Sequence, residues 1–322
     1  MKTLHIDKPA GFSLAAASQY YAGFTPGSGM AAAAVDQLTL AFRVERSFDA
    51  VVVSLREQAD VLVAELTGSD DEAAVRHQLS RMLGLEALAE AWLRLGQRVP
   101  LVGLLQREFP GFFTATKASP YDAAVWSIIA PRTHIEHAAR IKLALAREHG
   151  SALTLHGRVH HVFPAPRVLL TLQHAAGLNA EKVARLHAVA RAALDGLLDA
   201  DYLRGLPEWE ALARLQTIRG VGPWSASHIY YRGAAPIDAL PAVEPRVLHG
   251  LAHASGVALP TAQAFVRAAE AWRPFRMWVC VLLSRHLART SGWHAPELAQ
   301  QRAAAGRQLA QQTRRRQRVS AS

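Results

Sequence analysis

Three short stretches of the first hundred residues are rich in apolar and β-branched side chains and are separated by brief polar turns. They cover Leu38–Glu45, Asp49–Glu57 and Asp60–Gly68. Such a succession predicts three strands in an antiparallel meander. A cluster of Ser and Asp at 69–71 then precedes apolar residues at helical spacing, which predicts a capped helix. We therefore expect a small α+β domain over residues 1–108.

Beyond the Phe109–Phe113 turn the apolar positions recur with helical spacing, and strand signals fade. The helical stretches cover residues 120–130, 134–150, 180–196, 208–218 and 261–272. We expect an all-α domain over 109–297. The last segment, 298–322, has arginines but no acidic residue, and we expect it to be a poorly folded basic tail.

Two of the helical stretches meet at Gly220-Val221-Gly222, which Pro223 follows. Glycine can adopt positive φ at both positions and leaves the backbone amides exposed. Proline suits the first position of the next helix, where its missing N–H is no loss. A hairpin of this kind can bind an anion such as phosphate at the positive helix end. A plain helix–helix turn with a glycine cap is the other interpretation.

The net charge of +10 changes this picture because it is unevenly distributed. Residues 1–110 hold 10 Lys and Arg against 13 Asp and Glu, whereas residues 111–322 hold 26 against 13. This asymmetry favours a polyanionic partner bound mainly by the second part. A generally arginine-rich proteome would also supply part of the excess.

Cys280 is the single cysteine, which excludes an intrachain disulfide, a multi-cysteine zinc site and a four-cysteine iron–sulfur cluster. His156, His160 and His161 are close in sequence, but we interpret them as polar surface or DNA-facing residues and expect no metal. The sequence has neither a convincing signal peptide nor an apolar run long enough to span a membrane. We expect a cytoplasmic protein without a membrane partner.

Several segments together resemble one protein family. GVGPWSASHIYYRG, PYDAAVWSIIAPRTHIEHAARI, VFPAPRVLL and AEAWRPFRMWVCVLL are similar, in their order, to segments of the helix-hairpin-helix DNA glycosylases. The resemblance is specifically to the 3-methyladenine DNA glycosylase II type, and it covers roughly residues 105–290. It implies that the α+β domain ahead of it is a TBP-like domain.

The resemblance implies a monofunctional glycosylase that excises alkylated purines in base excision repair. Its partner would be double-stranded DNA with damaged bases, and we expect a monomer with no cofactor. The target nucleotide would be flipped into a pocket, where a carboxylate assists hydrolysis of the N-glycosidic bond. The alternative function is a helix-hairpin-helix damage-recognition protein that binds DNA with weak or no catalysis.

The family's catalytic aspartate, in a motif written FPATD or LPDD, corresponds to Glu244 of LPAVE, one methylene longer. Asp238 fits a structural aspartate of the family. His228 stands where the family has a tyrosine, and Ser284 where it has an aromatic residue. Arg132 occupies the place of an apolar wedge. Trp224 stands where bifunctional relatives carry a Schiff-base lysine, so strand cleavage by that route is not expected.

The remaining site residues are also assigned by the resemblance. The base pocket would be lined by Trp126, Trp224, His228 and Ser284. DNA would be contacted by Arg132, Arg219, Gly220, Val221, Gly222, Ser225 and Arg246. A monovalent cation could bind the hairpin carbonyls from Arg219 to Gly222, and no other metal is expected.

Overall fold

The computed structural model describes residues 2–22, 31–34, 36–86 and 89–291. A five-stranded antiparallel sheet dominates its first part, in the order β1-β5-β4-β3-β2. The strands are β1 (Lys2–Asp7), β2 (Ala31–Ala34), β3 (Gln37–Arg43), β4 (Ala50–Gln58) and β5 (Val61–Thr67). The meander expected from the sequence is confirmed as β3, β4 and β5. Edge strands β1 and β2 were not expected.

Two helices, α1 (Leu14–Ala22) and α2 (Glu72–Leu83), accompany the sheet. The expected cap of α2 is formed by Asp71, whose carboxylate accepts the Ala74 amide at 2.9 Å. Such a cap satisfies a backbone N–H that the first helical turn leaves without a partner. The first part is therefore α+β, as expected, and its likeness to a TBP-like domain stays a prediction.

Helices make up most of the second part. They are α3 (Ala89–Arg98), α4 (Pro100–Glu108), α5 (Pro120–Ile129), α6 (Ile135–His149), α7 (Pro166–Leu169), α8 (Ala180–Leu194), α9 (Ala200–Gly205), α10 (Glu208–Leu215), α11 (Pro223–Ile229), α12 (Pro245–Ser255), α13 (Ala262–Ala269) and α14 (Arg276–Thr290). A π-helical turn, Tyr230–Ala234, continues α11, and a 3₁₀ turn, Glu270–Trp272, follows α13. Side chains of Ser119, Asn179 and Thr261 cap α5, α8 and α13.

The expectation of an all-α second domain was wrong. Strands β6 (Ser151–Leu155) and β7 (Arg158–Val162) form an antiparallel hairpin between α6 and α7. Leu155 and Val162 of this hairpin pack with Ala41 and Val52 of the large sheet. The partners of the hairpin's apolar side chains thus lie more than a hundred residues earlier, so local periodicity did not reveal it.

The sheet and the helices share one continuous apolar core, which extends from Leu4 to Leu283. Arg43 of β3 reinforces this junction by donating to the Phe163 carbonyl at 2.6 Å and to the Ser151 hydroxyl at 2.8 Å. The boundary at 108/109 remains a prediction, and the basic segment 298–322 lies outside the described residues. None of the helices within the described ranges is long and apolar enough to cross a membrane.

Candidate active site and nucleic-acid interface

The hairpin between α10 and α11 turns at Gly220, whose φ of +89° lies in the left-handed region that favours glycine. Gly222 differs from the expectation, because its φ of −88° and ψ of −179° are extended and open to any residue. A Cβ atom at Gly222 would meet no atom within 4 Å, whereas one at Gly220 would lie 2.5 Å from the Arg185 side chain. The turn thus requires glycine at position 220. At position 222 the space around the missing Cβ atom is open.

The amides of the hairpin are not equally available. The Val221 N–H donates to the Ile218 carbonyl at 2.9 Å, inside the turn. Helix α11 begins with Pro223 and has no side-chain cap. Its start at the exposed Gly222 therefore presents the positive end of a helix at the surface, whereas Ser225 in the same turn is buried. Among the residues predicted to contact DNA, Val221 thus has a backbone amide that already donates a hydrogen bond within the protein.

Three charged side chains flank the hairpin, and we call Glu181, Arg185 and Arg219 the hairpin face. Glu181 at the start of α8 accepts Arg185 Nε at 3.0 Å and Arg219 Nη2 at 2.9 Å. The Arg185 and Arg219 side chains lower the pKa of Glu181. The side chains of Arg219 and Glu181 are 63% and 47% exposed, so this ion pair is open to exchange with a solute.

Lys182, which follows Glu181 on α8, stabilises the turn that carries Arg132. Its ammonium donates to the carbonyls of Ile129 and Pro131, at 2.6 and 3.0 Å, and to the Thr133 hydroxyl at 3.0 Å. Arg132 is exposed and has a φ of +59°, a conformation that costs an ordinary residue about 1–2 kcal/mol. The surrounding contacts hold Arg132 in this conformation at the surface.

Helix α8 therefore holds both turns predicted to touch DNA. Glu181 engages Arg219 of the hairpin, and Lys182 engages the turn at 129–133. Sequence reasoning missed both residues, since neither belongs to a motif. Their position directly after the Asn179 cap of α8 was the one available signal.

The two aromatic residues of α11 pack on each other. The rings of Trp224 and His228 are stacked, with centroids 5.4 Å apart and planes 17° apart, one helical turn from each other. Trp126 lies in α5, which packs against α11. Trp126 is 5% exposed, and the Lys117 ammonium lies 5.3 Å from its ring centroid. One face of Trp224 is thus covered by His228, while Trp126 belongs to the core beneath α11.

Glu244 is the residue that immediately precedes α12, and its backbone is fixed on both sides. Its N–H donates to the Pro241 carbonyl at 3.0 Å, and its own carbonyl accepts the Val247 amide at 3.0 Å. The side chain is partly exposed and does not cap its own helix. A carboxylate at a helix N-terminus is favoured by the helix dipole. The structure thus places this acid at a rigid position beside positive backbone potential.

Asp238, the other acid near the hairpin, is held by arginines. Arg276 Nε lies 2.9 Å from its Oδ1, and Arg273 forms a second ion pair with Oδ2. Arg276 also donates to the Asp238 carbonyl, at 2.6 and 3.0 Å. These contacts join the segment before Glu244 to the start of α14. They give Asp238 a structural role, in agreement with the interpretation of the sequence.

The remaining predicted residues lie on two helices in close contact. A Cβ atom at Gly250 of α12 would lie 2.4 Å from the Leu283 carbonyl of α14, so the two backbones nearly touch. Ser284 follows Leu283, is partly exposed, and donates its hydroxyl to the Cys280 carbonyl at 3.0 Å. Arg246 is exposed on the first turn of α12. The α12–α14 contact thus links the helix begun by Glu244 to the helix that carries Ser284.

Comparison with known proteins shows which solved structures this fold resembles. No family model matches the chain. A 3-methyladenine DNA-glycosylase from Archaeoglobus fulgidus superimposes with a TM-score of 0.73 at 17% identity, over 89% of this chain and 99% of that one. The 8-oxoguanine glycosylase/lyase of Clostridium acetobutylicum, in complex with DNA, gives a TM-score of 0.57 at 15% identity, over 82% and 99%. The chain has the helix-hairpin-helix DNA glycosylase fold.

A sequence relative agrees with this glycosylase fold. The DNA-3-methyladenine glycosylase of Bacillus subtilis (strain 168) is 22% identical over 156 residues, which are 47% of this chain. The match spans about half, 52%, of that relative's length. The family resemblance inferred from the hairpin and its neighbouring segments is thus confirmed at the level of the fold. The roles of the individual site residues remain predictions.

Proposed function

We propose that this chain is a monofunctional DNA glycosylase that hydrolyses the N-glycosidic bond of alkylated purines in double-stranded DNA. One observation carries the proposal. A carboxylate, Glu244, stands at the rigid start of α12, in the segment that follows a hairpin with an uncapped, positive helix start. Glu244 would act on the sugar of the target nucleotide, and the start of α11 would bind the phosphates on either side of that sugar.

The hairpin would set the register on DNA. A phosphate placed at the start of α11 would meet the exposed backbone of Gly222 and the positive helix end. The exposed pair between Arg219 and Glu181 can open, because a phosphate replaces the carboxylate as the partner of the guanidinium. Glu181 then acts as a placeholder that keeps Arg219 in position before DNA arrives.

Arg132 would fill the space that the flipped nucleotide leaves in the duplex. It is exposed, its turn is fastened by Lys182, and its left-handed backbone conformation is one that functional residues adopt more often than others. A planar guanidinium can stack on the neighbouring bases. The target nucleotide would then leave the stack toward the Trp224–His228 pair.

The chemistry assigned to Glu244 is that of a carboxylate beside an anomeric carbon. As the bond between C1′ and the base nitrogen breaks, its electron pair leaves with the base, and positive charge develops on the sugar. The ionised carboxylate stabilises that charge and orients a water, whose oxygen bonds to C1′ while its proton passes to the carboxylate or to solvent. A cationic alkylated purine leaves as a neutral base, so a separate strong acid is not required.

The class of lesion follows from the pocket and from the relatives. The stacked rings of Trp224 and His228 offer an aromatic surface, which attracts a desolvated cationic base by about 2 kcal/mol. Two proteins that this chain resembles are named 3-methyladenine glycosylases, and another is named an 8-oxoguanine glycosylase/lyase. Since Trp224 occupies the place of the lyase lysine, we propose base release without strand cleavage.

The deciding experiment measures base release from duplexes that each hold one lesion: 3-methyladenine, 7-methylguanine, hypoxanthine, ethenoadenine or 8-oxoguanine. We expect release of the two methylated bases by the wild-type protein under single-turnover conditions. Glu244→Gln should lower the rate at least about 10²-fold with DNA affinity retained. Glu90→Gln, the same change at an exposed acid of α3, is the matched control and should behave as wild type.

A second variant examines the extra methylene of Glu244. The backbone of this segment is held by the Pro241 and Val247 hydrogen bonds and cannot easily move toward the sugar. Glu244→Asp therefore shortens the reach, and we expect it to lose activity although it restores the residue of the family. A misplacement of about 1 Å can lower the rate about 10²-fold. A faster Glu244→Asp would show that the backbone already sits as close as in the relatives.

The alternative function, damage recognition without catalysis, makes the opposite prediction. Coverage of one Trp224 face by His228 favours it, because a closed aromatic pair leaves less surface for a base. Wild-type release no faster than that of Glu244→Gln, together with tighter binding to damaged than to intact duplex, would establish this alternative and end the enzyme proposal.

A further inference from the structure

The Lys182 ammonium holds the turn after α5 with all of its donors. It donates to the Ile129 carbonyl at 2.6 Å, to the Pro131 carbonyl at 3.0 Å and to the Thr133 hydroxyl at 3.0 Å. A lysine ammonium has three N–H donors, so these bonds use each of them. Lys182 therefore has no donor left for a DNA phosphate while it holds the turn.

The first of these bonds also completes the end of α5. Ile129 is the last residue of that helix, where carbonyl groups have no helical N–H partner. A cation beside a helix C-terminus is favoured by the helix dipole. Lys182 thus fixes the turn to the end of α5, a helix that packs against both α8 and α11.

Arg132, in the middle of this turn, is not held there by its own side chain. Within the residues that the structure describes, its guanidinium makes no hydrogen bond or ion pair. Its φ of +59° is left-handed, a conformation that an ordinary residue keeps only where its surroundings enforce it. Besides the Lys182 bonds, the Thr133 amide donates to the Ala130 carbonyl at 3.1 Å. The conformation of Arg132 therefore depends largely on Lys182.

The residue before Lys182 on α8 acts on a different part of the interface. Glu181 pairs with Arg219 of the hairpin through side chains that are both exposed. Lys182 instead bonds to neutral acceptors of the turn that carries Arg132. Replacement of Glu181 should therefore change the affinity for DNA, whereas replacement of Lys182 should change what Arg132 does once DNA is bound.

We propose that Lys182 is a positioning residue for nucleotide flipping. By holding the turn at 129–133, it keeps Arg132 in the conformation in which the guanidinium enters the duplex as the target nucleotide leaves. Without Lys182 the turn relaxes to ordinary backbone conformations, and insertion of Arg132 must first restore the left-handed one. This inference rests on the role given to Arg132 in the proposed function, and it adds a residue that belongs to no motif.

The first experiment measures flipping without base release. Every protein carries Glu244→Gln, and the duplex holds 7-methylguanine next to 2-aminopurine, whose fluorescence rises when its neighbour leaves the stack. We expect Lys182→Met to lower the rate of this rise about tenfold, because an unrestrained residue prefers ordinary backbone conformations by about that factor. The DNA affinity, measured by fluorescence anisotropy, should change less than about threefold, as for the loss of one charge.

A rescue variant and a matched control separate this role from a loss of charge. Lys182→Arg keeps the charge and the donors, so it should recover most of the flipping rate. Lys2→Met makes the same change at an exposed lysine that pairs with Asp70, and it should leave the rate unchanged. If Lys182→Met fails to fold, Thr133→Val takes its place, because it removes one acceptor of the ammonium and keeps the shape of the side chain. It should lower the rate in the same direction.

The second experiment determines whether Lys182 acts through Arg132. Arg132→Ala, Lys182→Met and the combined variant form a double-mutant cycle, read by the same fluorescence rise. We expect Lys182→Met to add less than about twofold to the effect of Arg132→Ala, because the residue that it positions is already absent. Effects on the rate that multiply in full would show that Lys182 acts independently of Arg132, and they overturn the proposal.

The third experiment examines the turn without DNA. Trypsin cleaves after arginine, and cleavage after Arg132 in the folded protein requires the turn to open. We expect Lys182→Met to accelerate cleavage between Arg132 and Thr133 about tenfold, since the rate follows the population of the open turn. Lys2→Met should be cleaved there as slowly as the wild type. Equal cleavage of Lys182→Met and the wild type overturns the proposal.

These measurements also distinguish this inference from the glycosylase activity. If the wild type releases a base but Lys182→Met flips as fast as its Glu244→Gln parent, the inference alone is wrong. If the parent flips the lesion while the wild type releases no base, the glycosylase proposal is wrong, and slower flipping by Lys182→Met still supports the inference. Absence of both flipping and release would overturn both.

Discussion

Lys117, Asp122 and Lys142 form a second group of charges, which we call the buried cluster. The hairpin face and the buried cluster are built from the same kinds of side chain, one carboxylate between two basic groups, but their surroundings are opposite. At the hairpin face, Glu181 and its two arginines are in contact with water, where such pairs contribute little and exchange easily. In the buried cluster, the side chains of Lys117 and Lys142 are 0% and 3% exposed and that of Asp122 is 18% exposed, so the loss of a partner leaves a buried charge less compensated. The comparison shows that burial, rather than residue type, separates a replaceable ion pair from a structural one.

The titration of the two acids differs accordingly. At the hairpin face, the hydrogen bond from Arg185 and the charge of Arg219 lower the pKa of Glu181. In the buried cluster, burial alone would raise the pKa of Asp122, but the charges of Lys142 and Lys117 outweigh it and the pKa is lowered. For Lys117 the balance is the opposite. Burial outweighs the charge of Asp122 and lowers the pKa of the lysine to about 7.

Removal of the buried carboxylate gives the largest expected effect. Asp122→Asn leaves Lys117 and Lys142 without their acid, and we expect the free energy of unfolding to fall by about 3–5 kcal/mol. Urea unfolding followed by circular dichroism measures this change. A decrease in the free energy of unfolding below about 1 kcal/mol would mean that Asp122, like Glu181, forms ion pairs that contribute little to stability. The contrast between the buried and the exposed pairs would then be wrong.

The pH dependence of stability gives the next largest effect. The charged groups that act on Lys117 are Asp122, Lys142 and Arg232, and Arg43, Tyr21 and Tyr121 line the same region. Burial lowers the pKa of Lys117 from its ordinary value of 10.5 to about 7 in the folded protein. Between these values the unfolded chain binds the extra proton, so stability rises with pH, whereas below pH 7 both states are protonated and stability stays at its lower level.

We expect this rise to be on the order of 1–3 kcal/mol between pH 7 and pH 10. It is measured as the difference between the unfolding free energies of the wild type and Lys117→Met. In Lys117→Met the slope that is due to this group should vanish. A difference that stays constant over this range would show that Lys117 titrates normally.

Substitutions of the two hairpin glycines test the exposed partner in this comparison, the hairpin beside the hairpin face. Gly222→Val should leave the Tm near that of the wild type, because the backbone is extended and a side chain has open space. It should lower DNA affinity at least about tenfold, because the side chain blocks the approach of a phosphate to the helix start.

Gly220→Val is the matched control, since it places the same side chain two residues away. It meets the Arg185 side chain and requires a left-handed backbone, so it should lower the Tm by several degrees. Fluorescence anisotropy and thermal unfolding separate the two effects. Unchanged DNA affinity of a well-folded Gly222→Val would exclude this surface as the phosphate anchor.

Glu181→Gln gives the smallest expected effect. The exposed ion pairs with Arg185 and Arg219 contribute about 0.2–1 kcal/mol each, so the stability should change little. DNA affinity should rise a few-fold at low salt, because Arg219 no longer exchanges a carboxylate for a phosphate. Glu136→Gln, at an exposed acid of α6, serves as the control. A lower affinity of Glu181→Gln would mean that its role in holding Arg219 outweighs its charge.

Local sequence patterns alone predicted the parts of the molecule that local physics controls. The β3–β5 meander followed from three successive stretches rich in apolar and β-branched residues, and the start of α2 from the Ser and Asp cluster that includes Asp71. The turn at Gly220 followed from the freedom of glycine at positive φ. The family resemblance added the order of the helices and the choice of Glu244 over Asp238, and the arginine contacts of Asp238 agree with that choice.

Only the tertiary structure decided which distant residues meet. It placed the β6–β7 hairpin on the sheet, brought Glu181 and Lys182 of α8 to the two turns predicted to touch DNA, and closed Lys117 and Lys142 around Asp122. A lysine has the same local signature whether it is solvated or enclosed. Burial and long-range pairing depend on the packing of the whole chain, and no short stretch of sequence records them.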